Sequence, residues 1–137
     1  MPPVSRWMIR ISLVSLLAGA AVGALLLAQL PAALAHEGTL RAIHLDLMLF
    51  GWLMQFVLGV AYWMLPRYPT LPERGSPAAA WSALALFDAG LLTAIVGWTL
   101  SLTGLASLGR AALVGGTLVF LGVLVPRVKG MEVRGEK

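Results

Sequence analysis

Four long apolar stretches, separated by proline- and glycine-bearing breaks, constrain this chain more than any other feature of its sequence. They run from about Trp7 to Leu30, Ala42 to Leu65, Ala78 to Leu102 and Ala111 to Val125. A helix crossing the hydrocarbon core of a bilayer needs about 20 mostly apolar residues. All four stretches qualify as candidate spans, the fourth being the shortest. Pro31, the segment from Pro66 to Pro77, and Gly104 to Gly109 punctuate them. The sequence RYPTLPERGSP, with Pro69, Pro72 and Pro77, reads as a loop. Charged residues make up 12% of the chain and hydrophobic ones 59%, whereas a soluble domain is about 25% charged. Too little polar surface remains to coat a globule in water. Backbone groups in lipid are satisfied only by helices or closed barrels, and no barrel-type alternation is present. The expected fold is all-α: an integral membrane four-helix bundle, with residues 1–137 forming a single transmembrane domain.

The basic residues set an expected orientation. Arg6, Arg10, Arg67, Arg74, Arg127, Lys129, Arg134 and Lys137 fall on one side, and only Arg41 and Arg110 on the other. The positive-inside rule then places both termini in the cytoplasm, with His36 and Glu37 in an outward-facing first loop. The net charge of +4 is explained by this flanking pattern, so nucleic acid is not expected as a partner. Ala33-Leu34-Ala35 has the form of a signal-peptidase site. The apolar run before it is longer than a signal h-region, so an uncleaved first helix is expected. With no cysteine, disulfides, thiolate metal sites and cysteine-attached haem are excluded.

The second apolar stretch carries polar groups where water is scarce. If it advances about 100° per residue, His44, Met48, Gly51, Gln55 and Tyr62 share one stripe, with Gly59 beside them and Asp46 nearly opposite. Two readings stand. In one, Gly51 and Gly59 admit a neighbouring helix, Gln55 is interhelical glue, and His44 bonds a loop carbonyl at the interface. In the other, a flat cofactor lies against the stripe, because a neutral imidazole is a strong axial ligand for haem iron. In the third stretch Asp88 is an intramembrane acid. It reads either as part of a proton path or quinol contact, or as a carboxyl bonded to a neighbour such as Gln55 or a serine. Gly19-Ala-Ala-Val-Gly23 marks a close helix contact, within or between chains. Gly115, Gly116 and Gly122 make the fourth stretch similarly approachable. Trp7, Trp63, Trp81 and Tyr68 read as an interfacial aromatic belt, with Trp52 and Trp98 deeper. Signatures of soluble enzymes, among them GxGxxG, the P-loop, HExxH and the nucleophile elbow, are absent, and no catalytic residue is nominated.

The sequence HLDLMLFGWLMQFVLGVAYWMLPR, residues 44–67, resembles the second transmembrane helix of haem-copper oxidase catalytic subunits, of the C-family cytochrome oxidase and nitric oxide reductase kind. His44, Gly51, Gly59, Tyr62 and the terminal Pro66-Arg67 occur in the family's order. The resemblance implies that His44 is an axial ligand of a haem b iron and carries that role onto His44 alone; in the cofactor reading Gly51 and Gly59, near it on the stripe, would make room for the macrocycle. The family's subunit has twelve helices and at least six histidine ligands, whereas this chain has two histidines. A binuclear haem-copper centre is therefore not expected from one copy, nor is oxygen or nitric oxide reduction.

The family fold comprises three four-helix arcs in pseudo-threefold symmetry, and this chain has the size of one. The resemblance thus implies a homo-oligomer. A trimer forming a ring is favoured, and a dimer holding one haem between two His44 rings is the rival. His36, another copy's His44, or no group at all are the alternatives for the second axial position. The expected roles are electron transfer, gas binding or support of a respiratory or denitrification complex in the inner membrane. A cofactor-free accessory subunit and a small oligomeric transporter are the alternatives.

Overall fold

The computed structural model describes residues 1–29, 36–67 and 74–135, with side chains through Val128. Four helices cover these segments: α1 (Pro3–Leu27), α2 (Glu37–Met64), α3 (Pro77–Thr99) and α4 (Thr103–Gly135). No strand occurs among the described residues. All four helices are long and apolar enough to cross a membrane. Even α3, at 23 residues, spans about 35 Å at 1.5 Å per residue, more than the roughly 30 Å hydrocarbon core. The chain is a multi-pass membrane protein.

Local chemistry sets the ends. Pro3 opens α1 and Pro77 opens α3, where a missing N–H costs nothing. The Ser76 hydroxyl caps α3 by accepting from the Ala79 amide at 3.3 Å. The α3–α4 connection is a tight turn: Ser101 adopts φ 57°, and the Leu102 amide donates to the Gly97 carbonyl at 2.8 Å. That closing bond is the Schellman arrangement.

The fourth helix differs most from expectation. It starts at Thr103, not near residue 111, and at 33 residues it is the longest. Gly104 to Gly109, which read as a break, are helical. The reason lies in packing. A Cβ built on Gly97 would stand 2.3 Å from the Ala106 nitrogen, and one on Gly109 would stand 2.3 Å from the Ala94 nitrogen. Gly90 and Gly116 make similarly close backbone contacts across the same seam. These glycines bring α3 and α4 into contact without interrupting either helix. At the other end, α4 continues through Pro126, so the expected tail from Arg127 onward is helix.

Helices α1 and α2 form a second close pair, and α2 also meets α3 and α4. One apolar cluster, centred on Met8, Leu58, Tyr62, Leu84, Phe120 and Leu124, joins all four helices near the N-terminal end. Most other large apolar side chains face outward, Leu17 (72% exposed) and Leu118 (62%) among them. In water this surface would be a liability; in a bilayer it meets lipid or another helix. Trp7, Trp63 and Trp81 are exposed near the N-terminal end, as interfacial anchors are. Tyr68, Pro31 and Ala33 to Ala35 lie outside the described residues.

Candidate functional site

Helix α2 is not regular. From Leu47 to Met54 it runs as a π-helix, a form often found where a helix must re-aim functional side chains. An even 100° advance therefore does not hold across its middle. Four polar groupings hang from α2: two before the π segment, one just after it and one at its C-terminal end.

The first contains His44. Its Nδ1 lies 2.8 Å from the Gly19 carbonyl of α1. A carbonyl only accepts, so Nδ1 carries the proton. In the neutral ring Nε2 is then a lone-pair donor, and it has no hydrogen-bond partner among the described residues. The ring is half-buried and seated on Gly23, where a Cβ would come within 2.8 Å of Cε1. Gly19 in turn accommodates Met48. The Gly19/Gly23 pair is thus a contact within the chain.

On another face of α2, Asp46 is 1% exposed. Arg110 Nη2 of α4 donates to its Oδ1 at 2.8 Å, and Trp98 Nε1 of α3 donates to Oδ2 at 2.9 Å. The guanidinium also lies over the Trp98 ring, 5.0 Å from its centroid. Both carboxylate oxygens are satisfied, as a charge in lipid requires. Sequence reasoning misses this cluster because Arg110 reads as a loop charge. An acid inside an apolar span and a lone arginine at the same membrane face are the available signal.

After the π segment, Gln55 is fully buried and donates through Nε2 to Asp88 Oδ1 of α3 at 2.8 Å. This is the bonded-neighbour reading of Asp88. Gln55 Oε1 is left buried without a partner. Gly51 and Gly59 are buried on the α1 side. A Cβ on Gly51 would meet Ser15 at 2.8 Å, and one on Gly59 would meet Met8 at 2.9 Å. Helix α1 covers the surface on which the cofactor reading places a macrocycle.

At the C-terminal end of α2, Arg127 of α4 is 2% exposed. It donates to the carbonyls of Tyr62 (3.1 Å), Pro66 (2.9 Å) and Leu65, and stacks 5.3 Å from the Tyr62 ring centroid. A charge counted toward orientation thus satisfies the terminal carbonyls of another helix.

His36 stands at the N-terminus of α2, eight residues before His44. That is about 12 Å along the same helix at 1.5 Å per residue. The structure does not bring the two histidines together. Among the described residues no group of three or more potential metal-ligating side chains occurs.

The sequence matches the family Cytochrome C and Quinol oxidase polypeptide I over residues 3–129. Neither a curated protein nor a solved structure matches the chain.

Proposed function

The chain belongs to the Cytochrome C and Quinol oxidase polypeptide I family, and from that premise we propose that it is a membrane haem b protein with His44 as an axial ligand. One observation carries the reading: the Gly19 carbonyl holds the Nδ1 proton of His44 at 2.8 Å, which frees Nε2 for a metal. A ligating histidine commonly has its second nitrogen tied to a carbonyl in this way, which fixes the ring and raises its basicity. The donor chemistry therefore fits haem iron. Gly51 and Gly59 are packed on α1, so His44 is the residue that would hold the group, and the macrocycle would extend beyond Nε2.

When bound, such a haem supplies one-electron transfer and, with an open axial position, binding of a diatomic gas such as nitric oxide or oxygen. The chain's own residues orient the ligand. Gly19 and Gly23 seat the imidazole, and the Asp46–Arg110–Trp98 cluster ties the same turn of α2 to α3 and α4. Another copy of the chain would be the membrane source of a further imidazole for the haem, and the match in size to one four-helix arc supports a homo-oligomer, with a trimer favoured and a dimer the rival. The protein serves electron transfer, gas binding or the support of a respiratory or denitrification complex, in the inner membrane with both termini cytoplasmic.

The second reading, a cofactor-free accessory subunit, is favoured by the seating of His44, Gly51 and Gly59 on α1. Absorption spectra of the purified protein, oxidised and dithionite-reduced, separate the two. Haem b gives a sharp reduced α band that His44→Ala abolishes. A colourless wild type, expressed with ample haem, leaves the packing subunit.

A further inference from the structure

Helices α1 and α3 meet only briefly, and an open groove runs between them. Its larger part, about 340 Å³, is lined by Val14, Ser15, Leu47, Leu91, Leu92 and Asp88 among others. A second part of about 220 Å³ continues past Asp88 to Trp7 and Trp81. The walls are apolar except at Asp88 and the Ser15 hydroxyl. Asp88 Oδ1 accepts from Gln55, and Oδ2 has no partner among the described residues. A carboxylate oxygen left unpaired in a low-dielectric setting calls for a donor. Lipid tails supply none.

The chain carries a donor at the right depth. Trp52 sits half-buried on α2 among the outward-facing Leu49, Leu53 and Phe56, and its indole N–H makes no hydrogen bond among the described residues. Trp52 precedes Gln55 by three residues, a rise of about 4.5 Å or less. Gln55 itself bonds Asp88. A copy generated by rotation about the membrane normal keeps every residue at its own depth. Trp52 of the partner subunit would therefore arrive nearly level with Asp88, within the reach of an indole side chain.

We propose that the α1/α3 groove is the seat of a second copy of this chain, whose outward α2 face fills it and whose Trp52 donates to Asp88. The surfaces differ, one a ridge on α2 and the other a groove between α1 and α3. The contact is therefore heterologous and repeats around an axis until it closes into a ring. It specifies the oligomer invoked above and rests on that part of the reading, but its test needs no haem.

The native chain has no cysteine, which makes disulfide trapping clean. Trp52→Cys chains are co-expressed with either Leu92→Cys or Val14→Cys chains, both exposed at the groove rim, and oxidised in native membranes. Val114→Cys, exposed on α4, is the control. The expected result is a mixed disulfide dimer with both groove positions and at least tenfold less with Val114→Cys. Trp52→Phe, which keeps the ring and loses the donor, weakens association about threefold, the scale of one interhelical hydrogen bond in a bilayer. Blank lanes at both groove positions, or trapping by Val114→Cys as strong as theirs, overturns the proposal and leaves the groove to lipid. A coloured wild type that gives blank lanes rejects this interface and keeps the haem reading. A colourless one that crosslinks does the reverse.

Discussion

Asp46 shows how one residue can set the rotation of a helix in lipid. Its carboxylate is enclosed, while the Arg110 side chain that pairs with it is 44% exposed. The two partners are therefore not equivalent. Removing the arginine strands a buried anion, whereas removing the anion leaves a cation that can reach the interface. Arg110→Ala is expected to cost about 3 kcal/mol, and Asp46→Asn clearly less because the amide still accepts from Trp98. The Asp46→Asn/Arg110→Ala double variant should recover part of the loss. Thermal unfolding in mild detergent, followed by helicity, checks the order; equal costs for the two single changes would mean that burial of the anion is not what matters.

At this scale the sequence is partly legible. The need of Asp88 for a partner, and Gln55 as a candidate, follow from the cost of an unpaired acid in a membrane. The same reasoning does not reach Asp46, because Arg110 reads as a loop charge until the true start of α4 is known. The role of Gly51 and Gly59 is ambiguous for a physical reason: a missing Cβ makes equal room for a helix or a ring, and the sequence does not say which arrives.

Among the elements, the α3–α4 pair is the most tightly specified. Its seam places backbone against backbone, so a single methyl has nowhere to go. Gly109→Ala should separate the helices and cost about 2 kcal/mol, within the usual range for overpacking. Gly122, also on α4, is different: a Cβ added there would meet nothing within 4 Å. Gly122→Ala should be neutral or stabilising by up to about 1 kcal/mol, since alanine restricts the unfolded chain more than glycine does. The two variants share one helix and one chemistry, so unfolding that is equally affected by both would refute the seam as the cause.

Helix number and type are readable from apolar length alone. The start of α4 is not, because glycine reads as a breaker where it serves as a contact surface. The π segment is also hidden: Leu47 to Met54 is an ordinary apolar run, and its extra residue is set by what α2 must reach on either side. His44 faces α1, and Gln55 faces α3, and the stretch between them absorbs the difference in register.

For the whole molecule, the polar groupings are distributed by depth. His44 and the Asp46 cluster lie toward one end, Gln55–Asp88 lies mid-span, and Arg127 lies toward the other. The charge argument for orientation stands. Arg127 donates to the carbonyls of α2 and keeps its charge, so eight basic residues stand against Arg41 and Arg110. On the second side Arg41 pairs with Glu37 and Arg110 with Asp46. With this asymmetry both termini are expected in the cytoplasm. A membrane-impermeant maleimide decides this on intact cells, again helped by the cysteine-free background. Gly38→Cys, at an exposed site where a Cβ touches nothing, should be labelled from outside, and Lys137→Cys only after the cells are opened. The opposite pattern would invert the protein. It would place His44, and any haem it holds, near the cytoplasmic leaflet, and electrons would then have to enter from the cytoplasmic side.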